Sequence, residues 1–224
     1  MKRTDISAVF ADSQLCADQQ ITVSGWIRNI RVSKAIGFIE LNDGTTLHSL
    51  QVVFESEKIQ NYSEIAKLNI GAAVTVLGIL VLTPQMRQPF ELHAQTITID
   101  GVSAPEYPLQ NKRHSMEFLR TIPHLRARTN TFNALYRVRS EAAFAIHRFF
   151  HDRGFVYAHT PILTGSDCEG AGEMFRVTTL DAAHPPLFPD GTVDFSQDFF
   201  GKPVSLTVSG QLEAESMACA FSKV

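Results

Sequence analysis

Five residues in the first half of the chain have side chains suited to binding a nucleic acid. Phe38 lies in a glycine-flanked strand-like segment, where an exposed aromatic ring could stack on a base. Gln51 and Glu91 could hydrogen-bond to base edges, while Arg28 and Arg31 could meet phosphates. Each residue alone also fits an ordinary barrel, with Phe38 in its core. Together they favour a nucleic-acid interface.

A second group of candidate residues lies in a glycine-rich loop and in a later helix. The loop, 162–175, has carboxylates near its centre and lacks the GK[ST] ending of a phosphate loop. Glu169 in this loop could bind a cationic group such as an α-ammonium. Gln211 and Glu213 lie near a predicted helix N-terminus, where a small polar ligand could be held. We assign no catalytic residue and no metal ligand.

The candidate nucleic-acid-binding residues must be held in place by a scaffold. The sequence of residues 21–100 predicts that this scaffold is a small all-β barrel. Alternating apolar and polar residues indicate half-buried strands, and the Asn42-Asp43-Gly44 sequence indicates a tight turn. Five strands with one helix between the third and fourth is the order of an oligonucleotide-binding (OB) barrel. An unspecialised barrel or a sandwich edge would show the same periodicity. The predicted strands are 21–31, 37–41, 50–54, 74–81 and 91–99, and the predicted helix is 61–68.

A connector follows the predicted barrel. Pro105 and Pro108 interrupt the strand pattern, which indicates a linker or hinge. Two basic clusters, 112–114 and 126–128, come after them. A solvated linker and a contact with an RNA backbone both fit these clusters. We therefore divide the chain into a barrel (1–101), a hinge (102–128) and a second domain (129–224).

The second domain is predicted to open with a long helix. Thr129 or Asn130 can cap it, apolar residues recur at helical spacing, and Gly154 ends it after about Arg153. A strand over 155–160, closed by Pro161, is predicted next. An irregular excursion over 181–203 then leads to a strand at 204–208 and a helix capped by Ser209 that ends near Phe221. These elements indicate the start of an α+β domain.

Composition limits the classes of protein that fit. The 224 residues are 44% hydrophobic and 19% charged, as in a globular protein. The net charge of −3 does not by itself indicate nucleic-acid binding, so any RNA contact must come from a local patch. Cys16, Cys168 and Cys219 are too scattered for a disulfide framework or a zinc site. Without an apolar membrane segment or leader, the sequence predicts a cytoplasmic location.

The whole chain resembles the bacterial-type asparaginyl-tRNA synthetases, of the aspartate-like subgroup of class II. Residues 23–31 and 37–44 are similar to the anticodon-binding barrel of that subgroup. The helix from Arg137 to Arg153, with Gly154-Phe155 and Thr160-Pro161, is similar to motif 1. Residues 166–175 resemble the flipping loop that closes over the amino acid, and residues 208–215 resemble the segment that lines the amino-acid pocket.

The resemblance implies a role for each candidate residue. Phe38 would stack on the central anticodon uridine, Gln51 and Glu91 would read anticodon bases, and Arg28 would assist them. Glu169 and Gln211 would hold the α-ammonium of asparagine, and Glu213 would accept a hydrogen bond from its amide. Motif 1, with Pro161, would form a homodimer interface. The implied partners are the anticodon of tRNA(Asn), asparagine, ATP and Mg²⁺. The residues that carry these roles are Phe38, Gln51, Glu91, Arg28, Glu169, Gln211, Glu213 and Pro161.

The resemblance implies ATP-dependent activation of asparagine and its transfer to tRNA(Asn). Two alternative functions remain open. Aspartyl enzymes, including one that charges both tRNAs, place a lysine where this chain has Ala214, and that lysine would pair with a substrate carboxylate. A non-catalytic tRNA-binding module is the other rival, since motifs 2 and 3 do not occur within residues 1–224. Those motifs supply the arginines that grip ATP. We therefore expect a truncated chain that is inactive alone and binds no ATP or Mg²⁺ productively.

Overall fold

A computed structural model describes residues 3–86, 88–168, 170 and 173–224, with the backbone only at Leu15. The chain divides into two compact units, residues 1–139 and 140–224. The helices are α1 (Ile6–Ala11), α2 (Ser13–Cys16), α3 (Tyr62–Ile65), α4 (Met116–Thr121), α5 (Pro123–Arg126), α6 (Asn130–His151) and α7 (Gln211–Phe221). The strands are β1 (Gln20–Val32), β2 (Ile36–Asn42), β3 (Leu50–Glu55), β4 (Ala73–Leu82), β5 (Phe90–Gly101), β6 (Leu163–Thr164), β7 (Arg176–Val177) and β8 (Val204–Leu206).

The first unit contains the predicted OB barrel. Its strands close in the order β1-β2-β3-β5-β4, with β4 also paired to β1. All pairs are antiparallel except β3 with β5, which meet in parallel. Helix α3 lies between β3 and β4, as the sequence predicts, although it is shorter than 61–68. The five-strand fold class is thereby confirmed.

The barrel core follows from the alternation of each strand. Apolar side chains at every second position point inward and lose their contact with water, which is the main stabilising term for a barrel of this size. Phe54 is the largest fully buried side chain, and its ring lies directly beneath β2. A Cβ atom on Gly37 would lie 2.2 Å from that ring, so no larger residue fits at position 37. This contact sets the position of the neighbouring residue, Phe38.

An N-terminal helix that the sequence patterns did not predict covers part of the core. Ile6 and Val9 on α1 are fully buried among the barrel residues. The backbone N–H of Ile6 donates to Oδ2 of Asp43 at 2.8 Å, and that of Ser7 donates to the Thr45 hydroxyl at 2.9 Å. The turn after β2 thus satisfies two N–H groups at the start of α1, which have no partner within the helix.

The connector packs against the barrel. The Arg28 guanidinium on β1 donates to the backbone carbonyl of Arg128 and to Oδ1 of Asn130, the latter at 3.2 Å. The Arg128 guanidinium lies 4.9 Å from the centre of the Trp26 ring and donates to the Tyr107 hydroxyl at 3.2 Å. These contacts fix the connector on the outer surface of β1. The domain boundaries at 101 and 128 stay a prediction.

Helix α6 begins where the sequence predicts. The Thr129 hydroxyl accepts a hydrogen bond from the N–H of Phe132 at 3.3 Å, so Thr129 is the cap. Gly154, with φ of +78°, lies just beyond the helix end. The predicted apolar stripe, however, is largely uncovered. Phe132 is 5% exposed, whereas Val138 and Phe149 are 67% and 50% exposed.

Two predictions for the second unit are wrong. Residues 155–160 form no strand, because a strand needs a ladder of hydrogen bonds to a neighbouring strand. The segment instead makes scattered bonds, such as the one from the Val156 N–H to the Lys223 carbonyl at 2.9 Å. Gly210, not Ser209, occupies the N-cap of α7, although the Ser209 hydroxyl still accepts from the Gln211 N–H at 3.1 Å.

The rest of the second unit is built on a small antiparallel sheet. Its order is β6-β8-β7, with β8 in the centre and shorter than the predicted 204–208. The excursion between β7 and β8 is irregular, as predicted, and is ordered by buried Asp198. Hydrogen bonds from the Thr178 side chain and the Thr179 N–H hold the pKa of Asp198 well below its usual range.

Candidate nucleic-acid interface

The strand register arranges the outward side chains of the barrel in two rows across four strands. In the first row Arg31 on β1 pairs with Phe38 on β2, Phe38 with Val53 on β3, and Val53 with His93 on β5. Phe38 is half-buried and faces away from the core, because its neighbours Gly37 and Ile39 face inward. An outward aromatic side chain with an arginine beside it can stack on a base and neutralise a phosphate.

The second row brings the two predicted base-reading residues together. Asn29 pairs with Glu40, and Glu40 with Gln51. Gln51 then donates from Nε2 to Oε1 of Glu91 at 2.7 Å. The sequence treats Gln51 and Glu91 as independent readers, whereas the structure joins them in one hydrogen-bonded pair. Phe38 and Gln51 are diagonal neighbours on paired strands, so a base stacked on the ring lies within reach of the amide.

Gln88, which the sequence analysis missed, supports this pair. Its Oε1 accepts from the backbone N–H of Gln51 at 2.9 Å, and its Nε2 donates to the Ser49 carbonyl at 3.1 Å. The loop is held in turn by Thr83, whose hydroxyl donates to the Gln88 carbonyl at 3.0 Å. A glutamine in a polar loop carries no periodic signal, so only the fold reveals its role.

The two arginines of β1 lie in different surroundings. Arg31 is exposed beside Phe38. Arg28 is engaged with the connector, and burial lowers the pKa of its guanidinium from the ordinary arginine value. The anticodon role expected for Arg28 from the resemblance stays a prediction. In the structure its guanidinium joins the barrel to the connector.

A cleft of about 1610 Å³ runs from Gln51 to the connector, entirely within the first unit. At one end Phe10 stacks on His48 with ring centres 5.2 Å apart, next to Gln51 and Gln88. More basic side chains than carboxylates line the cleft, and the two carboxylates are Glu40 and Glu117. The cleft therefore carries a net positive charge, which suits a phosphate backbone. The lining arginines and lysines are Arg28, Arg31, Lys112, Arg113 and Arg128.

The predicted amino-acid site lies in the second unit and is only partly described. Glu169 lies outside the described residues. Cys168, just before it, has its Sγ 3.8 Å from the Ser209 carbonyl, so the loop reaches the start of α7. There the Gln211 amide donates to Glu215 at 2.8 Å, which turns its carbonyl oxygen away from that carboxylate. Glu213 is half-buried on the same helix.

Pro161, predicted at a dimer interface, is exposed in the extended segment that precedes β6. Among residues 3–86, 88–168, 170 and 173–224, no helix is both long and apolar enough to cross a bilayer.

Two family matches cover most of the chain. Residues 21–100 match the OB-fold nucleic acid binding domain family, tRNA_anti-codon, and residues 115–224 match the tRNA synthetases class II (D, K and N). The OB match coincides with the barrel that carries Phe38, Gln51 and Glu91. Residues 115–224 therefore belong to the class II tRNA synthetases, and residues 21–100 to the OB-fold nucleic acid binding domains.

Its curated relatives include several asparagine–tRNA ligases. The chain is 58% identical to that of Clostridium perfringens strain 13 over 98% of its own length and 47% of the relative's. It is 57% identical to that of Acetivibrio thermocellus over 100% of its own length and 48% of the relative's. The chain thus spans about half the length of these relatives.

Solved structures share the fold. A Pyrococcus horikoshii asparaginyl-tRNA synthetase complexed with asparaginyl-adenylate aligns with 99% of this chain and 46% of its own, with a TM-score of 0.78 and 18% identity. An Entamoeba histolytica asparaginyl-tRNA synthetase in complex with asparaginyl-adenylate aligns with 94% of this chain and 44% of its own, with a TM-score of 0.68 and 20% identity. At these identities the likeness establishes the fold alone.

Gln88→Ala is expected to lower the free energy of unfolding of the barrel by about 1–2 kcal/mol, because the Ser49 carbonyl and the Gln51 N–H lose their bonds to the Gln88 side chain. Urea unfolding followed by the fluorescence of Trp26, the single tryptophan, measures this. Gln85→Ala is the matched control, since Gln85 is an exposed glutamine in the same loop. Equal losses in the two variants would contradict the role assigned to Gln88.

Proposed function

We propose that residues 1–224 belong to an asparagine–tRNA ligase, in which the barrel binds the anticodon of tRNA(Asn). The observation that carries this proposal is the outward face where Phe38, Arg31 and the Gln51–Glu91 pair converge. Phe38 stacks on a base, the Gln51 amide bonds to its edge, and the basic cleft follows the phosphates. The proposal is also supported by the sequence identity to asparagine–tRNA ligases.

Phe38→Ala is expected to weaken binding of the 224-residue chain to a tRNA(Asn) anticodon stem-loop about ten-fold or more, because one stacked base is lost. Fluorescence anisotropy with a labelled stem-loop measures the dissociation constant. Affinity should also fall steeply with added salt, as phosphate contacts require. Phe199→Ala is the control, since Phe199 is an exposed aromatic residue outside the barrel. Similar weakening in both variants, or no binding by the unsubstituted chain, would overturn the proposal.

The proposed reaction is attack of the asparagine carboxylate on the α-phosphate of ATP, which breaks the bond to the β-phosphate, releases pyrophosphate and forms asparaginyl-adenylate. A hydroxyl at the 3′ end of the tRNA then attacks the activated carbonyl carbon and releases AMP. Glu169 and the Gln211 carbonyl oxygen would hold the α-ammonium, and Glu213 would accept from the side-chain amide. Ala214 leaves no lysine to pair with an aspartate carboxylate. Within the described part of the chain no three His, Cys, Asp or Glu side chains form a group that could hold a metal ion.

The 224-residue polypeptide is expected to show no asparagine-dependent exchange between ATP and pyrophosphate, because residues 1–224 lack the ATP-gripping arginines of motifs 2 and 3. The measurement is incorporation of labelled pyrophosphate into ATP, with the Clostridium perfringens asparagine–tRNA ligase as the positive control. Exchange above the level without asparagine would contradict this expectation. Exchange with aspartate instead would favour the aspartyl alternative.

We infer that the uncovered stripe of α6 pairs two copies of the chain. Val138 and Phe149 lie on one side of the helix and are both half or more exposed. An apolar stripe of this length on a soluble helix is normally covered. Its place in the segment similar to motif 1 supports a homodimer.

Val138→Asp is expected to shift the chain from dimer to monomer, because a buried carboxylate without a partner is costly to desolvate. Sedimentation velocity measures the mass. Ser140→Asp is the matched control, because position 140 lies about 200° around the helix from Val138. A monomeric unsubstituted chain, or dissociation of both variants, would contradict the proposed interface.

We also propose a cytoplasmic location, where the tRNA substrate is found. The free cysteines Cys16, Cys168 and Cys219 suit a reducing compartment.

A further inference from the structure

Arg28 lies at an irregular point of β1. The register of β1 against β2 shifts between Ile27 and Asn29, so Arg28 is the extra residue of a β-bulge. A bulge interrupts the alternation of inward and outward side chains and redirects the extra residue. Here it allows the Arg28 guanidinium to reach the connector, where it bonds to the Arg128 carbonyl and the Asn130 side chain.

The connector brings a second guanidinium to the same place. The Arg128 guanidinium lies 4.9 Å from the centre of the Trp26 ring, and its Nη1 donates to the Tyr107 hydroxyl at 3.2 Å. Tyr107 can approach the barrel because Gly71, with φ of +91°, has no side chain. A Cβ atom there would lie 2.8 Å from the tyrosine ring. The bond from Arg28 to the Arg128 carbonyl then holds the two arginines together.

The bonding partners of both guanidiniums are neutral. In the part of the chain that the structure describes, no ion pair includes either arginine. Burial lowers the pKa of Arg28 more than the charges of Tyr107 and Glu40 raise it. The Glu40 carboxylate accepts instead from Asn29 Nδ2 at 3.2 Å. Partly buried cations without a counter-ion are costly to desolvate, so this pair of arginines is suited to an anion.

Both arginines have further donors and line the cleft of the first unit. A guanidinium carries five N–H donors, and the bonds described above use two donors of Arg28 and one of Arg128. Lys112 and Arg113 line the same cleft and add positive charge along it. An anion in the cleft can therefore reach donors of both guanidiniums.

The chemistry of the site favours a phosphate of an RNA backbone over a base. The planar fork of an arginine matches the oxygens of a phosphate, and two forks hold it from two sides. Trp26 is the aromatic ring beside them, and the Arg128 guanidinium already lies over it. Contacts to phosphates position a nucleic acid and carry no sequence information of their own.

We propose that Arg28 and Arg128 form a phosphate-binding site where the barrel meets the connector, and that this site holds the RNA backbone away from the bases that the barrel contacts. This inference rests on the proposed function, which supplies the RNA. The same two arginines join the connector to the barrel, so the phosphate binds at the joint itself. Binding there is independent of the anticodon sequence.

The first test measures binding of the 224-residue chain to a tRNA(Asn) transcript and to a copy with a changed anticodon, over a range of salt concentrations. Arg128→Gln should weaken binding of both RNAs by the same factor, about ten-fold, because a charge-assisted bond to a phosphate is lost. The slope of the logarithm of the association constant against the logarithm of salt concentration should become shallower by about 0.7 to 0.9, as for one phosphate contact.

Two further variants separate phosphate binding from support of the connector. Arg128→Lys keeps the charge but loses the planar fork that lies over Trp26, and it should retain the salt slope and most of the affinity. An arginine with a structural role alone would make the lysine and glutamine variants equally weak. Arg120→Gln removes the same charge from an exposed position on α4, outside the cleft lining, and should change neither affinity nor slope.

Inorganic phosphate tests the site without RNA. At equal ionic strength, phosphate in place of chloride should raise the urea midpoint of the unsubstituted chain and of Arg120→Gln more than that of Arg128→Gln, because the anion binds the folded state. Phosphate also stabilises proteins in general, so the difference between variants is the readout. Circular dichroism follows the unfolding and shows that each variant is folded.

The outcomes separate this inference from the proposed function. An unchanged salt slope in Arg128→Gln, or equal losses in the glutamine and lysine variants, would overturn the inference alone. Equal effects of phosphate on Arg128→Gln and on the unsubstituted chain would also overturn it. Failure of the unsubstituted chain to bind either tRNA would overturn the proposed function and the inference together.

Discussion

The proposed nucleic-acid interface depends on the parallel contact between β3 and β5, which closes the barrel. Only two residue pairs form it, Val52 with Leu92 and Val53 with His93. This short contact brings Gln51 next to Glu91, forty positions further along the chain, and it makes one continuous outer face from β1 to β5. Because so few backbone bonds hold this seam, the added bonds of the Gln88 amide matter more here than elsewhere in the barrel. The contact of β3 with β5 therefore both closes the barrel and sets the arrangement of Gln51 and Glu91 on its outer face.

The connector extends this surface. Burial of the Arg28 guanidinium lowers its pKa. The guanidinium donates hydrogen bonds to the Arg128 carbonyl and to the Asn130 side chain. Lys112 and Arg113, earlier in the connector, line the cleft that begins at Gln51. An arginine that the resemblance assigns to RNA thus acts on the protein first. It joins β1 to the C-terminal end of the connector.

The strands of the barrel were predictable because inward and outward residues alternate in each of them, and α6 because its cap, stripe and terminal glycine agree. The pairing of Gln51 with Glu91 was not predictable from the sequence, since it depends on strand order rather than on any local pattern. Gln88 lies in a loop, where composition says little about bonding. The prediction of a strand at 155–160 is wrong because these residues, although their types suit a strand, have no neighbouring strand to pair with. Local signals predict elements, and sites arise from how those elements meet.

A carboxylate on a face proposed to bind RNA needs an explanation, because it repels phosphates and weakens association. Glu91 lies within this face, and its side chain is mostly shielded, so its charge is screened little by water. A neutral acceptor at that position would avoid the repulsion but could also turn a donor toward Gln51, which would leave the amide free to flip. Only a group with no donor at all holds the amide in one orientation. The electrostatic cost of Glu91 thus has its counterpart in a Gln51 amide that is held in one orientation.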